Sequence, residues 1–189
     1  LDPSEKMLSS ARRHSEGIEW KEGKVDVLPF ADNQFDRVMC QFSLMFIPRR
    51  IATIREMLRV CRPNGLVVLA VWAPLNHSRA YCALIDLIKK YAGQRTAWKV
   101  SSPWSLGVPG VMDALLLSTE VNEYHCHERV GQARFPSMKS FVDTHLQLVG
   151  ELENMDADVY QRILSAADRD LHQYLLPNGQ LVAQLDANI

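Results

Sequence analysis

The spacing of apolar residues along the chain predicts an α/β fold. Residues 48–61 have a helical period, and the apolar face of this helix consists of Ile51, Ile54, Leu58 and Cys61. Apolar stretches on either side predict a strand over residues 37–42 and a second strand, buried on both faces, over residues 66–72. This order is typical of half of a doubly wound, mostly parallel sheet with helices on both faces. Because ligands of such sheets lie beyond the carboxyl ends of the strands, the loops after Phe42 and Trp72 are candidate sites.

Further elements are predicted on either side of this half. Asp2 can cap a first helix, with Pro3 at its first position. The other predicted helices cover residues 78–93, capped near Asn76 or Ser78, and residues 111–117, 138–149 and 157–175. The other predicted strands cover residues 18–22, 120–130 and 180–186, the last one after a turn at residues 177–179. Residues 94–110 combine prolines and glycines with two tryptophans, and we interpret them as a long loop that forms a lid.

Composition and charge limit the classes of function. A length of 189 residues suits one domain with a single core. The formal net charge of -1, with both signs scattered, predicts no nucleic-acid partner. The longest apolar run, residues 66–73, is far too short to cross a membrane, so no membrane partner is predicted. The four cysteines lie far apart and form no CxxC pair, which favours buried thiols in a reducing, cytoplasmic location.

Three segments carry a resemblance to a known family. They read DPSEKML (residues 2–8), GKVDVLPFADNQFD (residues 23–36) and CRPNG (residues 61–65). In this order and spacing they resemble the signatures of class I S-adenosylmethionine-dependent methyltransferases, namely methyltransferase type 11 and the branch with the ubiquinone and menaquinone C-methyltransferases. The resemblance is clearest over residues 1–73 and implies a Rossmann-like fold.

The resemblance also implies a fold truncated at the N-terminus. The family's glycine-rich loop has no counterpart, because the nine glycines are isolated and no G-x-G-x-G occurs. In this view residues 1–189 form a single methyltransferase-like domain, with a cofactor-half remnant (residues 1–93) and a lid, helices and final strands (residues 94–189). The family's strand order would leave residues 18–22 without a neighbour. The chain is then a fragment, is completed by a second copy in a homodimer, or pairs residues 18–22 directly with residues 37–42.

The resemblance further implies which residues would bind S-adenosylmethionine. Asp2 would accept hydrogen bonds from both ribose hydroxyls, or it is a plain helix cap. Met7 would pack against the adenine, or it is a core methionine. Gln41 and Phe42 would lie beside the methionine part of the cofactor and the substrate.

One position departs from the family pattern. Lys24 stands where the family has an aspartate for the adenine amino group, and an ammonium cannot accept a hydrogen bond. Asp26 substitutes for it, or Val25 contributes backbone contacts alone, or adenine recognition is weakened. Together with the missing glycine-rich loop, this leads to the hypothesis that the 189 residues bind the cofactor weakly or not at all.

Methyl transfer needs positioning more than acid–base groups, because a sulfonium is already an excellent leaving group. His77 follows the apolar strand and is the candidate general base, with a structural or solvated histidine as the alternative. The predicted pocket for a small-molecule acceptor is lined by Trp72, Trp98 and Trp104.

Two classes of function remain in competition. The leading prediction is S-adenosylmethionine-dependent methyl transfer to a small-molecule acceptor. The alternative is a non-catalytic, truncated methyltransferase-like module for interaction or dimerisation. A nicotinamide-dependent dehydrogenase is disfavoured because no G-x-G-x-x-G motif is present. His125 and His127 face the same way on a predicted strand, but no second ligand cluster accompanies them, so we predict no metal.

Overall fold

The computed structural model describes residues 1–121 and 123–189, and the chain divides into two compact units. We call residues 1–69 and 113–124 the N-terminal unit, and residues 70–112 and 125–189 the C-terminal unit. Asn122, part of the predicted strand over residues 120–130, lies outside the described residues.

The regular elements are numbered in chain order. The helices are α1 (Glu5–Arg12), α2 (Arg50–Val60), α3 (Arg79–Ala92), α4 (Gln94–Ser101), α5 (Val111–Leu117), α6 (Met138–Leu148) and α7 (Ala157–Asp170). The strands are β1 (Phe35–Gln41), β2 (Cys61–Trp72), β3 (Glu128–Arg129), β4 (Gln132–Phe135), β5 (Leu181–Gln184) and β6 (Ala187–Asn188). Short 3-10 helices cover Leu44–Phe46, Leu75–His77, Ser102–Gly107, Leu152–Asn154 and His172–Tyr174.

The predicted order of strand, helix and strand is confirmed as β1, α2 and β2, with β1 and β2 adjacent in one sheet. The first residues of the two strands lie together, since Asp36 forms an ion pair with Arg62. The buried face of α2 contains Ile54, as predicted, whereas Ile51 is exposed. Apolar periodicity therefore predicted the helix correctly, but it predicted only part of the buried face.

Strand β2 begins at Cys61 rather than at the predicted Leu66. Residues 61–65 belong to the strand, and Asn64 within them has a backbone conformation in the left-handed region (φ 63°). Gly65 is needed there, because a Cβ atom would lie 2.6 Å from Cys61 Sγ and 2.8 Å from the carbonyl oxygen of Asp36. The prediction that residues 66–72 are buried on both faces is wrong at the start of this range, because Leu66 is 54% exposed.

Two predictions near the first residue are also wrong. Residues 18–22 form no strand, since their pairing is one isolated parallel bridge between Asp2 and Glu22, and they do not pair with β1. Alternation becomes a strand only where a neighbour offers a ladder of hydrogen bonds. The cap of α1 is Ser4, whose hydroxyl accepts a hydrogen bond from the backbone N–H of Met7 at 3.4 Å, and not Asp2.

The core of the C-terminal unit lies between helices. Helix α3 packs against α4 and α7, and α6 packs against α7. The fully buried side chains include Tyr81, Leu84, Phe141 and Leu146. The predicted helix over residues 78–93 is confirmed as α3, which begins after Ser78 and ends at Gly93 (φ 88°).

Residues 94–110 are not the predicted long loop. They form α4 and a 3-10 helix that begins at Ser102 and has Pro103 near its start. Thr96, Ala97 and Val100 are buried and lie on one face of α4, so packing against the core stabilises this helix. The prolines and glycines in the rest of the segment had led to the prediction of a loop. The prediction of a long loop that forms a lid is therefore wrong for these residues.

The remaining elements are close to their predicted positions. Helix α5 has the predicted bounds, α6 ends one residue early, and α7 ends at Asp170 before a 3-10 helix. The predicted strand over residues 120–130 is reduced to β3 in the described residues. The turn at residues 177–179 is confirmed, with Gly179 at φ 82°, and it precedes β5.

Antiparallel pairing organises the strands of the C-terminal unit. Strand β4 pairs with β5 from Gln132↔Gln184 to Phe135↔Leu181. Strand β6 pairs on one side with the end of β2 (Trp72↔Ala187) and on the other with β3 (Arg129↔Ala187). The end of β2 is thus held beside residues from the very end of the chain.

Candidate functional site

Asp2 lies between the amino end of α1 and residues 21–23. Its backbone N–H donates to the carbonyl of Lys21 at 3.1 Å, and its carbonyl accepts from the N–H of Gly23 at 3.3 Å. Its Oδ1 accepts a hydrogen bond from the N–H of Ser4 at 2.8 Å. The half-buried carboxylate is therefore fixed at the amino end of a helix, where negative charge is favoured.

The segment after Gly23 is a tight turn that contains Lys24, Val25 and Asp26, the residues at the position of the family's adenine-binding aspartate. Lys24 and Val27 form an isolated antiparallel bridge, with Val25 half-buried between them. The carboxylate of Asp26 is 20% exposed and forms an ion pair with Arg49 at 3.2 Å. A ligand amino group at Asp26 would have to share the carboxylate with this guanidinium. Asp2 and this turn are brought together, since Asp2 contacts Gly23 directly.

Arg59 anchors the LPFADN part of the second motif to α2, which sequence reasoning missed. Its guanidinium donates to Glu56 Oε1 at 2.7 Å and to Asp32 Oδ1 at 2.6 Å. It also donates to the carbonyls of Phe30 (2.9 Å) and Leu28 (3.1 Å). Glu56 accepts the N–H of Leu28 at 2.7 Å, and Arg59 holds the pKa of the Glu56 carboxyl below its usual range. The spacing of Glu56 and Arg59 on one helix was the available signal.

Gln41 and Phe42 lie at the carboxyl end of β1, where the pattern predicted a site. Gln41 is exposed, and its carbonyl accepts a hydrogen bond from Ser43 Oγ at 3.2 Å. Phe42 is half-buried and has a φ of 52°, in the left-handed region that favours glycine. Such strain costs about 1–3 kcal/mol and is frequent at ligand sites. Backbone strain at this strand end agrees with the predicted position of a site.

Two side chains of the N-terminal unit, Asp2 and Met7, have the chemistry and exposure to contact the ribose and the adenine of the predicted cofactor. A fixed carboxylate at Asp2 suits the two hydroxyls of a ribose. Met7 is 60% exposed, so its thioether is available to an adenine and the reading as a core methionine is wrong. The core residue of α1 is Leu8 instead.

His77 lies in the C-terminal unit, in the 3-10 helix that follows β2. Its Nδ1 is 2.9 Å from Glu128 Oε1, and its side chain is 36% exposed. A carboxylate on Nδ1 leaves Nε2 to face a reactant, which is the arrangement that a histidine base requires. Its predicted role stays a prediction.

The three predicted pocket tryptophans differ in burial. Trp104 is 4% exposed and packs in the core against Tyr81, with ring centroids 5.1 Å apart. Trp98 is 67% exposed on α4, and Trp72 is half-buried at the end of β2. One is thus a core residue and one a surface residue, and their joint role in a substrate pocket stays a prediction.

The three motif segments lie in a region of the chain that matches a known protein family. Residues 1–69 match the family model described as a methyltransferase domain. A malonyl-[acyl-carrier protein] O-methyltransferase of Erwinia pyrifoliae is 30% identical over an alignment of 146 positions that covers 68% of this chain and 54% of that protein. A demethylmenaquinone methyltransferase of Staphylococcus saprophyticus is 38% identical over 71 residues, 36% of this chain and 30% of that protein. The resemblance of this chain to class I methyltransferases is therefore confirmed.

The match covers only part of these relatives. An uncharacterized protein of Mycobacterium tuberculosis is 33% identical over 93 residues, 48% of this chain and 33% of that protein. The chain thus spans about a third to about a half of the length of the curated relatives that it matches.

Solved structures confirm the fold. A methyltransferase candidate of Bacillus halodurans aligns with a TM-score of 0.55 at 13% identity, over 99% of this chain and 78% of that one. The YcgJ protein of Bacillus subtilis aligns with a TM-score of 0.50 at 17% identity, over 99% and 79% of the two chains. The fold is the predicted Rossmann-like α/β arrangement. Within residues 1–121 and 123–189, no helix has the length and apolarity needed to span a bilayer.

Proposed function

We propose that this chain acts in S-adenosylmethionine-dependent methyl transfer to a small-molecule acceptor. The observation that carries the proposal is the match of residues 1–69 to the methyltransferase domain family. Asp2, fixed at the amino end of α1 beside Gly23, is the residue of this segment whose geometry suits the cofactor best. Because the chain spans only part of its relatives, the acceptor and the activity of the whole protein belong to the proposal.

The residues of the N-terminal unit would hold the cofactor. Asp2 would accept hydrogen bonds from the ribose, and the exposed Met7 would cover the adenine. Asp26 would accept a hydrogen bond from the adenine amino group, although it would share its carboxylate with Arg49. Gln41 and Phe42 would lie beside the methionine part, at the carboxyl end of β1. When bound, S-adenosylmethionine supplies a methyl group on a positively charged sulfur.

Beyond binding the cofactor, the protein needs to position the acceptor and, for some acceptors, to remove a proton. Holding the acceptor in line with the methyl group removes most of the entropic part of the barrier. An acceptor that must lose a proton needs a base, and the Glu128 carboxylate would hold the ring of His77 in one orientation for that purpose. Trp72 and Trp98 would contribute apolar surface for a flat acceptor.

Calorimetric titration of the 189-residue chain with S-adenosylhomocysteine tests cofactor binding without turnover. We expect one weak site, with a Kd on the order of 0.1 mM, because Lys24 offers no acceptor to the adenine. Lys24→Asp should tighten binding about tenfold by adding a charge-assisted hydrogen bond. Asp2→Asn should weaken it at least about tenfold, whereas the exposed Glu16→Gln is the matched control and should leave it unchanged. A chain that releases no heat up to millimolar ligand, or an Asp2→Asn variant that binds normally, would overturn the proposal.

One observation favours a non-catalytic interaction module as the second candidate. Six apolar side chains of the N-terminal unit are each more than half exposed, namely Met7, Ile18, Val27, Met39, Leu66 and Leu117. Where exposed apolar side chains form a contiguous patch they are typical of a surface that binds another protein, and a second copy of this chain is the simplest partner.

Light scattering after gel filtration tests this second candidate. A homodimer should form in the wild type and dissociate in Met39→Glu and in Leu66→Glu. Leu148→Glu, at an equally exposed apolar position of the C-terminal unit, is the control and should leave the dimer intact. A wild-type chain that is monomeric at all concentrations tested would exclude this candidate.

A further inference from the structure

Three side chains with metal-ligating atoms meet in the C-terminal unit: His77, Glu128 and Asp186. They are distant in sequence, and strand pairing brings them together. Strand β6 lies between the end of β2 and β3, with Ala187 opposite both Trp72 and Arg129. The N–H of Ala73 donates to the carbonyl of Asp186 at 2.9 Å. Asp186, just before β6, is therefore held between Glu128 on β3 and the chain that leads to His77.

The distances between the ligand atoms are close to those around a metal ion. One atom from each of the three residues lies within 4.8 Å of the other two, and His77 Nδ1 is 2.9 Å from Glu128 Oε1. Adjacent ligands of an ion at about 2.1 Å are about 3.0–3.4 Å apart, and opposite ligands about 4.2 Å. The imidazole and the Glu128 carboxylate thus already have the separation of adjacent ligands. Both side chains are at least one-third exposed, so small rotations suffice to close the third distance.

Asp186 gives a second, electrostatic reason to expect a cation. It is 3% exposed, and its hydrogen-bond donors are the N–H of Gly131 (3.2 Å, to Oδ1) and the Gln184 amide (2.7 Å, to Oδ2). Both donors are neutral, and among residues 1–121 and 123–189 no lysine or arginine forms an ion pair with Asp186. Buried carboxylates are normally paired with a cation or bind a metal. The two hydrogen bonds also fix the carboxylate, as outer-shell partners of metal ligands do.

We propose that His77, Glu128 and Asp186 bind one divalent first-row transition metal ion. One imidazole nitrogen and two carboxylates suit Mn²⁺, Fe²⁺ or Zn²⁺, whereas soft Cu⁺ prefers sulfur ligands, and water would complete the coordination. The proposal goes beyond methyl transfer and does not depend on it. The base role proposed for His77 applies to the metal-free chain, whereas with an ion bound His77 is a ligand. The site differs from the sequence prediction of no metal and excludes His125 and His127.

Titration of the tag-free 189-residue chain, after treatment with a chelator, tests the proposal with MnCl₂ and ZnCl₂ as probes. Calorimetry should show one ion per chain, and Zn²⁺ should raise the thermal unfolding midpoint because only the folded chain assembles the ligands. Glu128→Gln and His77→Asn should each weaken binding at least about tenfold and remove most of the rise in the midpoint. Both replaced side chains are partly exposed, so these variants should keep the fold, which circular dichroism checks.

His127→Asn is the matched control, because His127 is adjacent to Glu128 in the chain but outside the cluster. It should bind both ions like the wild type. Binding that is lost in His127→Asn and kept in Glu128→Gln would place the ion on exposed histidines and overturn the proposal. A wild-type chain without stoichiometric binding below about 1 mM metal would overturn it as well, leaving His77 and Glu128 as a surface ion pair.

Discussion

The two units of this protein differ in how they are stabilised. In the C-terminal unit a contiguous cluster of buried apolar residues joins α3, α4, α6, α7 and β5. In the N-terminal unit, by contrast, the motif segment is held largely by one arginine and its hydrogen bonds. The residues predicted to bind a cofactor lie in the N-terminal unit. The predicted cofactor residues and this apolar core thus lie in different units, whereas the proposed metal site lies in the C-terminal unit.

The largest expected effect is in the aromatic core of the C-terminal unit. Phe141 is 0% exposed, and its ring centroid lies 4.8–5.2 Å from those of Tyr81, Phe135 and His145. Phe141→Ala should lower the free energy of unfolding by about 3–5 kcal/mol, because it removes buried surface and leaves a cavity. Leu148→Ala, at an exposed position of the same helix, should change it by less than about 0.5 kcal/mol. Urea denaturation measures both, and equal effects would contradict the assignment of Phe141 to the core of the C-terminal unit.

A smaller effect is expected at the start of β2, in the N-terminal unit. Gly65→Ala places a Cβ within 3 Å of Cys61 Sγ and of two backbone carbonyl oxygens. Relief of this overlap should cost about 1–3 kcal/mol. Gly17→Ala is the comparison, because the added Cβ meets nothing within 4 Å and the cost is limited to the strain of φ 79°. Thermal unfolding followed by circular dichroism should show the larger loss for Gly65→Ala, and the reverse order would refute the packing argument.

The next largest effect should be the pH dependence of the free energy of unfolding that the buried His145 causes. His145 is buried among three aromatic rings, and this burial lowers its pKa, although its Nδ1 contacts the carbonyl oxygen of Phe141 at 2.7 Å. The neutral ring is favoured in the fold, so its contribution is fully present above the unfolded pKa, about 6.5. It is lost as pH falls through the folded pKa, with a slope of at most about 1.4 kcal/mol per pH unit.

The variant His145→Phe isolates this effect. It removes the titrating group and should flatten the stability curve just below pH 6.5, where the unfolded histidine takes up its proton and the buried ring does not. The carboxyls whose pKa is lowered by cationic partners, Glu56 and Glu151 among them, act below about pH 4.5 and leave this window unchanged. Urea titrations at several pH values test it, and an unchanged slope in His145→Phe would show that another group is responsible.

The smallest expected effect is local. Arg59→Gln removes the hydrogen bonds to the carbonyls of Leu28 and Phe30 and the ion pairs with Asp32 and Glu56. Hydrogen exchange should become faster at the amides of residues 28–34, while the midpoint of the C-terminal unit stays constant. Arg12→Gln breaks only an exposed ion pair with Glu5 and should leave those amides protected. Uniformly faster exchange across the chain would mean that Arg59 stabilises more than the motif segment.

The sequence predicted those elements whose formation depends on neighbours in the chain. Helices α2, α3, α5 and α6 were found near their true bounds, because each has its own apolar face and its own end signals. Prediction failed for residues 18–22, which have the alternation of a strand without a ladder to join. It also failed for residues 94–110, where burial against the core outweighed the prolines and glycines.

The sequence alone determined the α/β class and the motif segments, because these depend on local order and spacing. The residues of a candidate cofactor site follow from the family resemblance of these segments and stay predictions. Only the tertiary structure decided that Trp104 belongs to the core, that Arg59 holds the motif segment and that Asp26 pairs with Arg49. It also decided that His77, Glu128 and Asp186 meet beside β6. Such contacts arise from strand pairing and packing between distant segments, and no spacing along the chain records them.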